Sequence, residues 1–342
     1  MKRGLLALTL AAMGAAAPVA SAADCAAVFA RKKITLVVPF KPGGGYDAYA
    51  RMLAPILQEH TGARASVANM PGANGTIGVR AVAAAPADSL TLGVFDLRDL
   101  ITARLTDTTL PAPADFAVLG SVGTTQGVWA GREAGVSLDG TGAIIAGLSS
   151  GIVPRVLLPA MLLERQVTIV RGFSGMSDRW LALLRGDVDI VDGSHDTIAR
   201  LVAGAPGSKS LLVLAPAPHA VFPGTPHLAG PDGLVAQRGR QLDPASQRSR
   251  LELASLAAEL SASERTITVA QKAPAAVRAC LELAVERALH SEELRTAAAK
   301  QKQALEPTRA AVVREQLNRI EGSVARNLPL LKRLAANAAG GS

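Results

Sequence analysis

The sequence predicts an α/β protein of two lobes, each a mainly parallel sheet flanked by helices, joined by a hinge. Three observations support this. Short β-branched runs alternate with helix-period segments from residue 34 onward. Strand–helix–strand units at this spacing need right-handed crossovers, which make neighbouring strands parallel. The alternation restarts after a proline-rich passage at 111–131, and 342 residues suffice for two such units.

The elements follow in order. Lys2 and Arg3 precede the apolar run GLLALTLAAMGAAAPVA, and Ala20-Ser21-Ala22 is a small-x-small cleavage pattern, so 1–22 reads as a secretory signal peptide. No later run reaches the roughly twenty apolar residues of a membrane span. ITLVVPF (34–40) is a buried strand. Ala50, Leu53, Ile56 and Leu57 share one helical face over 46–60, and Thr61-Gly62 stops the helix. A second strand (63–70), a glycine loop, a helix (76–85) and a third strand (89–96) complete the first unit. In the second unit AIIAG, QVTIVRGF and VDIVDGS are strands. Helices at 152–164, 178–187 and 195–204 separate them, and 209–218 is a strand leading back. Beyond about 223 the chain reads as mostly helical, at 247–260, 274–290, 292–304 and 308–338. The expected lobes are 23–117 with 221–342, and 118–220.

Net charge is +8, but the basic residues are mixed with acids, and the densest basic stretch, QRGRQLDPASQRSR (237–250), reads as a solvated helix surface. Aromatics are 3% of the chain, too few for base-stacking platforms, and no nucleic-acid motif is present. The only cysteines are Cys25 and Cys280. In an oxidising compartment they either close a disulfide or remain two separate buried thiols. Two cysteines and scattered histidines form no metal site.

PFKPGGGYDAYAR (39–51) frames the functional question. A phosphate-binding loop needs Lys and Ser or Thr after its last glycine; here Tyr46-Asp47 follows. Gly43-x-Gly45-x-x-Ala48 meets the loose dinucleotide pattern, but the next strand ends in Asn69-Met70-Pro71-Gly72, without the acid that grips a ribose. No cofactor is expected. A small acid remains. Glycines bring backbone N–H groups close, and a helix N-terminus favours an anion. One such terminus contributes about 0.3–2 kcal/mol, whereas micromolar binding needs about 8 kcal/mol, so several loops must converge. NMPGANG follows the neighbouring strand, and Ser149-Ser150-Gly151, Phe173-Ser174-Gly175 and Asp192-Gly193-Ser194 stand at equivalent turns of the second unit. An enzymatic alternative exists. Gly147-Leu148-Ser149-Ser150-Gly151 matches a nucleophile elbow, with Asp192 and His219 or His227 following in serine-hydrolase order, although no His-Gly oxyanion motif lies upstream.

ITLVVPFKPGGGYDAYARMLAPIL and VANMPGANGTIGVRAVAAAPADSLTLGVF resemble the Bug/TctC family, periplasmic solute receptors of tripartite tricarboxylate transporters. GFSGMSDRWLALLRGDVDI, PGTPHL and APAAVRACLELAVERALHSEELR are similar to further family segments. The resemblance implies a two-lobed fold like that of type II periplasmic binding proteins. It also implies a periplasmic location, no catalysis and a monomer whose lobes close on a small organic acid or amino acid. The partners it implies are membrane subunits of such a transporter; a solute sensor without a transporter is the alternative. By position, the first loop is Phe40, Pro42, Gly43, Gly44, Gly45, Tyr46 and Asp47, and the second is Asn69, Pro71, Gly72, Ala73, Asn74 and Gly75. Both would hold one carboxylate through main-chain N–H groups and water. Ser149, Ser150, Gly151, Phe173, Ser174, Gly175 and Asp192 would face it from the second lobe. Tyr46 replaces a small residue or Thr, Ser174 replaces a Lys, and 230–261 is an added segment. Tyr46 either narrows the site or packs outward; Asp47 either meets the ligand or caps the helix.

Overall fold

A computed structural model describes residues 22–105, 107–140, 142–147, 151–173, 175–301 and 303–340. Most of the expected signal peptide, and Ser149, Ser150 and Ser174, lie outside the described residues.

The first lobe opens with α1 (Ala22–Phe29), β1 (Lys33–Val38), α2 (Gly45–Thr61), β2 (Arg64–Asn69), α3 (Thr76–Ala84), β3 (Leu90–Phe95), α4 (Leu97–Ala103) and β4 (Phe116–Thr125). The second holds β5 (Gly127–Arg132), β6 (Ile144–Gly147), a π turn (Val153–Leu157), α5 (Leu158–Leu162), β7 (Val167–Val170), α6 (Met176–Arg185), β8 (Ile190–Ser194), α7 (His195–Ala203) and β9 (Ser208–Leu214). The chain returns through α8 (Leu234–Arg238), α9 (Pro244–Ser261) and β10 (Ser263–Ala270). It ends with α10 (Ala275–Leu289), α11 (Glu292–Lys300), α12 (Ala310–Arg326) and α13 (Leu328–Gly340).

Each sheet has five strands, in the orders β2-β1-β3-β10-β4 and β7-β6-β8-β5-β9. β1 is parallel to β2 and β3, and β6 to β7 and β8. The fourth strand of each row, β10 or β5, is the one the chain enters on crossing from the other lobe, and it runs antiparallel to both neighbours. The two-lobed, mainly parallel architecture is therefore present, with one reversed strand per sheet. The parallel strands place the β1, β2, β6, β7 and β8 loops at the carboxyl edges of their sheets, where α/β folds bind ligands.

The structure differs from the sequence reading in four places. β4 stays in the first sheet to Thr125, and β5 begins the second at Gly127, so the chain changes sheet at Gln126 rather than at 118. On the return, Arg238 and Arg250 still donate to the carbonyls of Leu163 and Leu162, so the chain leaves the second lobe only at β10, not at 221. SERTITVA is a strand inside the expected helical region, with all eight residues buried. Its Ser-Glu-Arg start hides a strand whose two charged side chains, Glu264 and Arg265, pair with the distant Arg98 and Asp196. The expected helix over 308–338 is two helices, α12 and α13. Pro329 at the start of α13 has no N–H to continue α12 and is accepted only in a first turn.

Cys25 and Cys280 form a disulfide, with their Cα atoms 5.2 Å apart, tying α1 to α10. One apolar cluster fills the first lobe around α2 and α10, with Leu53, Leu57, Leu281 and Val285. A second lies in the other lobe around Trp180, Leu183, Val191 and Ile198. A third spans both lobes and joins Leu100 and Ile101 to Leu158, Leu162, Leu256, Leu260 and Leu317. The lobes thus share an apolar seam, and charged residues gather at the sheet edges beside it.

Candidate functional site

The first loop runs from the end of β1 to α2. Gly43 has φ +90°, a left-handed conformation that glycine adopts without Cβ strain. Gly44 is the extended N-cap of α2, and no side chain bonds to the helix from it. The loop is held from behind. The Asp47 carboxylate accepts from Gly43 N–H and Arg51 Nε, both at 2.9 Å, and from Asn69 Nδ2 at 3.0 Å. Asn69 Nδ2 also donates to the Phe40 carbonyl at 3.0 Å. Burial opposes charge on Asp47, but the hydrogen bonds from Arg51, Gly43 and Asn69 hold its carboxyl below the ordinary range. Asp47 and Asn69 therefore clamp the loop and the neighbouring strand end together.

The second loop sits against the first. Gly72 and Gly75 have φ +124° and +89°, and Ala73 lies between them at +45°. Ala73, Asn74 and Gly75 form a single 3-10 turn before α3. A Cβ on Gly75 would lie 3.4 Å from both the Phe40 ring and the Pro39 carbonyl, so the two loops pack closely there. Pro42 and Pro71 are exposed on the two loops. Phe40 stacks on Tyr46 at 5.1 Å between ring centroids. The half-buried Tyr46 faces inward, and burial, then Asp96 and Asp99, push its hydroxyl well above its usual pKa.

Of the second-lobe residues, Gly151 has φ +70° and lies beside Asp99 and Arg155. Phe173 lies against Gly147, and Gly175 is the extended N-cap of α6. Asp192 is buried in β8 and accepts from Arg179 Nη1 at 2.9 Å. No histidine meets it among the described residues. His219 instead packs on His195 at 4.6 Å, and His227 is buried beside β9 at Val213. The elbow's acid and histidine are therefore not brought together.

Sequence reasoning missed the charged residues between the lobes. Arg98 of α4 pairs with Glu264 of β10 at 2.7 Å and also donates to Gln316. Arg155 of the π turn pairs with Asp99 of α4 at 3.2 Å, and Arg265 of β10 pairs with Asp196 of α7 at 2.8 Å. The Arg265 guanidinium lies 5.0 Å above the Tyr49 ring. Asp96 caps α4, accepting from the Arg98 and Glu264 N–H groups. Burial and then Asp99 push its carboxyl up to about 8. The available signals were Asp-Leu-Arg-Asp at 96–99 and Ser-Glu-Arg at 263–265, charges set directly against apolar runs.

No family model matches the chain. BugT of Bordetella pertussis is 40% identical over 88 residues, 26% of this chain and 26% of its own length, so the match spans about a quarter of that relative. Among solved structures, Rpa4515 of R. palustris with adipate has a TM-score of 0.66 at 20% identity, over 90% of this chain and 98% of that one. MatC (Rpa3494) of Rhodopseudomonas palustris with bound malate has a TM-score of 0.64 at 22% identity, over 86% and 100%. A TctC solute binding protein from Polaromonas has a TM-score of 0.59 at 18% identity, over 90% and 99%. The fold is that of the two-lobed periplasmic binding proteins. Within that class the matches are Bug and TctC proteins, which bears out the resemblance read from the glycine loops.

Proposed function

We propose that the chain is a periplasmic solute receptor that captures a small carboxylate-containing ligand between its lobes and delivers it to the membrane subunits of a tripartite tricarboxylate-type transporter. The observation behind this reading is the pair of clamped glycine loops at one sheet edge, with the N-terminus of the 17-residue α2 uncapped by any side chain. Unspent N–H groups at a helix N-terminus suit an anion. The malate and adipate held by the structural neighbours support a small dicarboxylic acid. An exported chain is consistent with the Cys25–Cys280 disulfide. No helix of the described residues is long and apolar enough to cross a membrane. The ligand would be held by Phe40 to Asp47 and Asn69 to Gly75 from one side and by the turns at Gly151, Phe173 to Gly175 and Asp192 from the other. The receptor performs no chemistry in this reading, and a monomer suffices for it.

The test is thermal melting of the exported protein against mono-, di- and tricarboxylates, amino acids and aromatic acids. A ligand that binds only the folded state at a hundredfold excess over Kd adds about 2.7 kcal/mol of stability. A selective rise in Tm identifies the ligand class; no rise with any acid overturns the receptor reading. Esterase activity lost in Ser149→Ala would instead favour the hydrolase. A solute sensor would bind in the same way, and uptake by cells carrying the transporter subunits separates it from a transport receptor.

A further inference from the structure

Two of the buried ion pairs cross between the lobes, one arginine from each side. Arg155 of the second lobe holds Asp99 of the first, and Arg265 of the first holds Asp196 of the second. The arginine side chains are 8% and 6% exposed, and the aspartates 19% and 20%. Both pairs stand at the glycine turns described above. A Cβ on Gly45 would lie 3.4 Å from Arg265 Nη2, and one on Gly151 would lie 3.1 Å from both Arg155 Nε and Asp99 Oδ1. Arg155 Nε is buried without a hydrogen-bond partner among the described residues, so its guanidinium has a donor unspent at that turn. Where an anion is expected, each turn already has a guanidinium and an internal carboxylate.

We propose that Asp99 and Asp196 are built-in stand-ins for the ligand's carboxylates. They close the lobes over Arg155 and Arg265 when no ligand is bound, and a dicarboxylic acid displaces them. A guanidinium enclosed in the closed form requires an anion, because an unpaired buried charge costs far more than the pair contributes. Either an aspartate of the facing lobe or a ligand carboxylate supplies it. Two separate arginines then call for two carboxylates, so a monocarboxylate exchanges for one clasp only. The inference rests on the receptor reading for its ligand, but not for its closure.

The experiment compares the wild type with Asp99→Asn/Asp196→Asn. Small-angle scattering without ligand reads closure, and titration calorimetry with straight-chain dicarboxylates from malonate to adipate reads exchange. The proposal expects the unliganded double variant to have a larger radius of gyration than the wild type. It also expects tighter binding of the best dicarboxylate by about fivefold or more, the usual size of such coupling. Arg265→Gln is expected to weaken that binding. Unchanged scattering overturns the clasp, and weaker binding in the aspartate variant makes the aspartates supports of the site rather than competitors. If no dicarboxylate binds either protein, that ligand class fails while scattering still decides the clasp. Should the double variant not fold, Arg265→Gln/Asp196→Asn combined with Arg155→Gln/Asp99→Asn removes both clasps and leaves no guanidinium unpaired; an unchanged radius of gyration there overturns the proposal.

Discussion

Replacing Asp47 with alanine tests whether the first loop is held by its clamp. The side chain is 5% exposed and accepts three hydrogen bonds, from Gly43 N–H, Arg51 Nε and Asn69 Nδ2. Bonds to a charged acceptor contribute about 1.5–3 kcal/mol each where water cannot replace them. The Arg51 side chain is 54% exposed and rehydrates, so its bond adds little. Gly43 and Asn69 regain water in part. The expected loss is about 2–4 kcal/mol, or roughly 5–10 °C in Tm for a unit of this size. Urea unfolding of the wild type, Asp47→Ala and Arg51→Ala measures it, with Arg51→Ala expected to cost under about 1 kcal/mol. The pH dependence is a second readout. The folded pKa lies below the unfolded value, so the stabilisation is present above about pH 3.9 and is lost as pH falls through the folded pKa. Asp47→Ala should lose that acid-limb slope. A loss under about 0.5 kcal/mol with the slope unchanged would refute the clamp.

Three further outcomes are expected. Reducing the Cys25–Cys280 disulfide, which closes a sequence separation of 255, should lower stability by up to about 5.5 kcal/mol on the chain-entropy account, read by denaturant unfolding with and without dithiothreitol. Gly43→Val forces a β-branched residue to φ +90° and should cost at least about 1–2 kcal/mol while weakening acid binding; equal affinity in calorimetry would remove Gly43 from the site. His195 Nδ1 accepts from the N–H of Gln126, where the chain changes sheet, and burial lowers its pKa. A folded pKa below the unfolded 6.5 or so means stability falls as pH drops through about 6.5, and His195→Gln should flatten that limb in melts from pH 5 to 8.

The chain order of strands and helices in the first lobe was legible because it is written locally. ITLVVPF, the helical face of Leu53, Ile56 and Leu57, and the glycines at each strand end depend on neighbours a few residues away. Positive φ at Gly43, Gly72 and Gly75 follows the same logic, since only the residue itself decides whether a left-handed turn is free of strain. Sequence alone likewise proposed two cysteines that could meet, and tertiary packing decided that they do. It could not show that SERTITVA is a central strand. Glu264 and Arg98 are 166 residues apart, and Arg265 and Asp196 are 69 apart, so no local pattern marks these charges as paired. Unpaired, charged residues in a strand argue for the surface; paired, they can be buried. The same distance hid the clasp between the lobes. Its arginines and aspartates lie on different elements, and folding alone brings them to the two glycine turns.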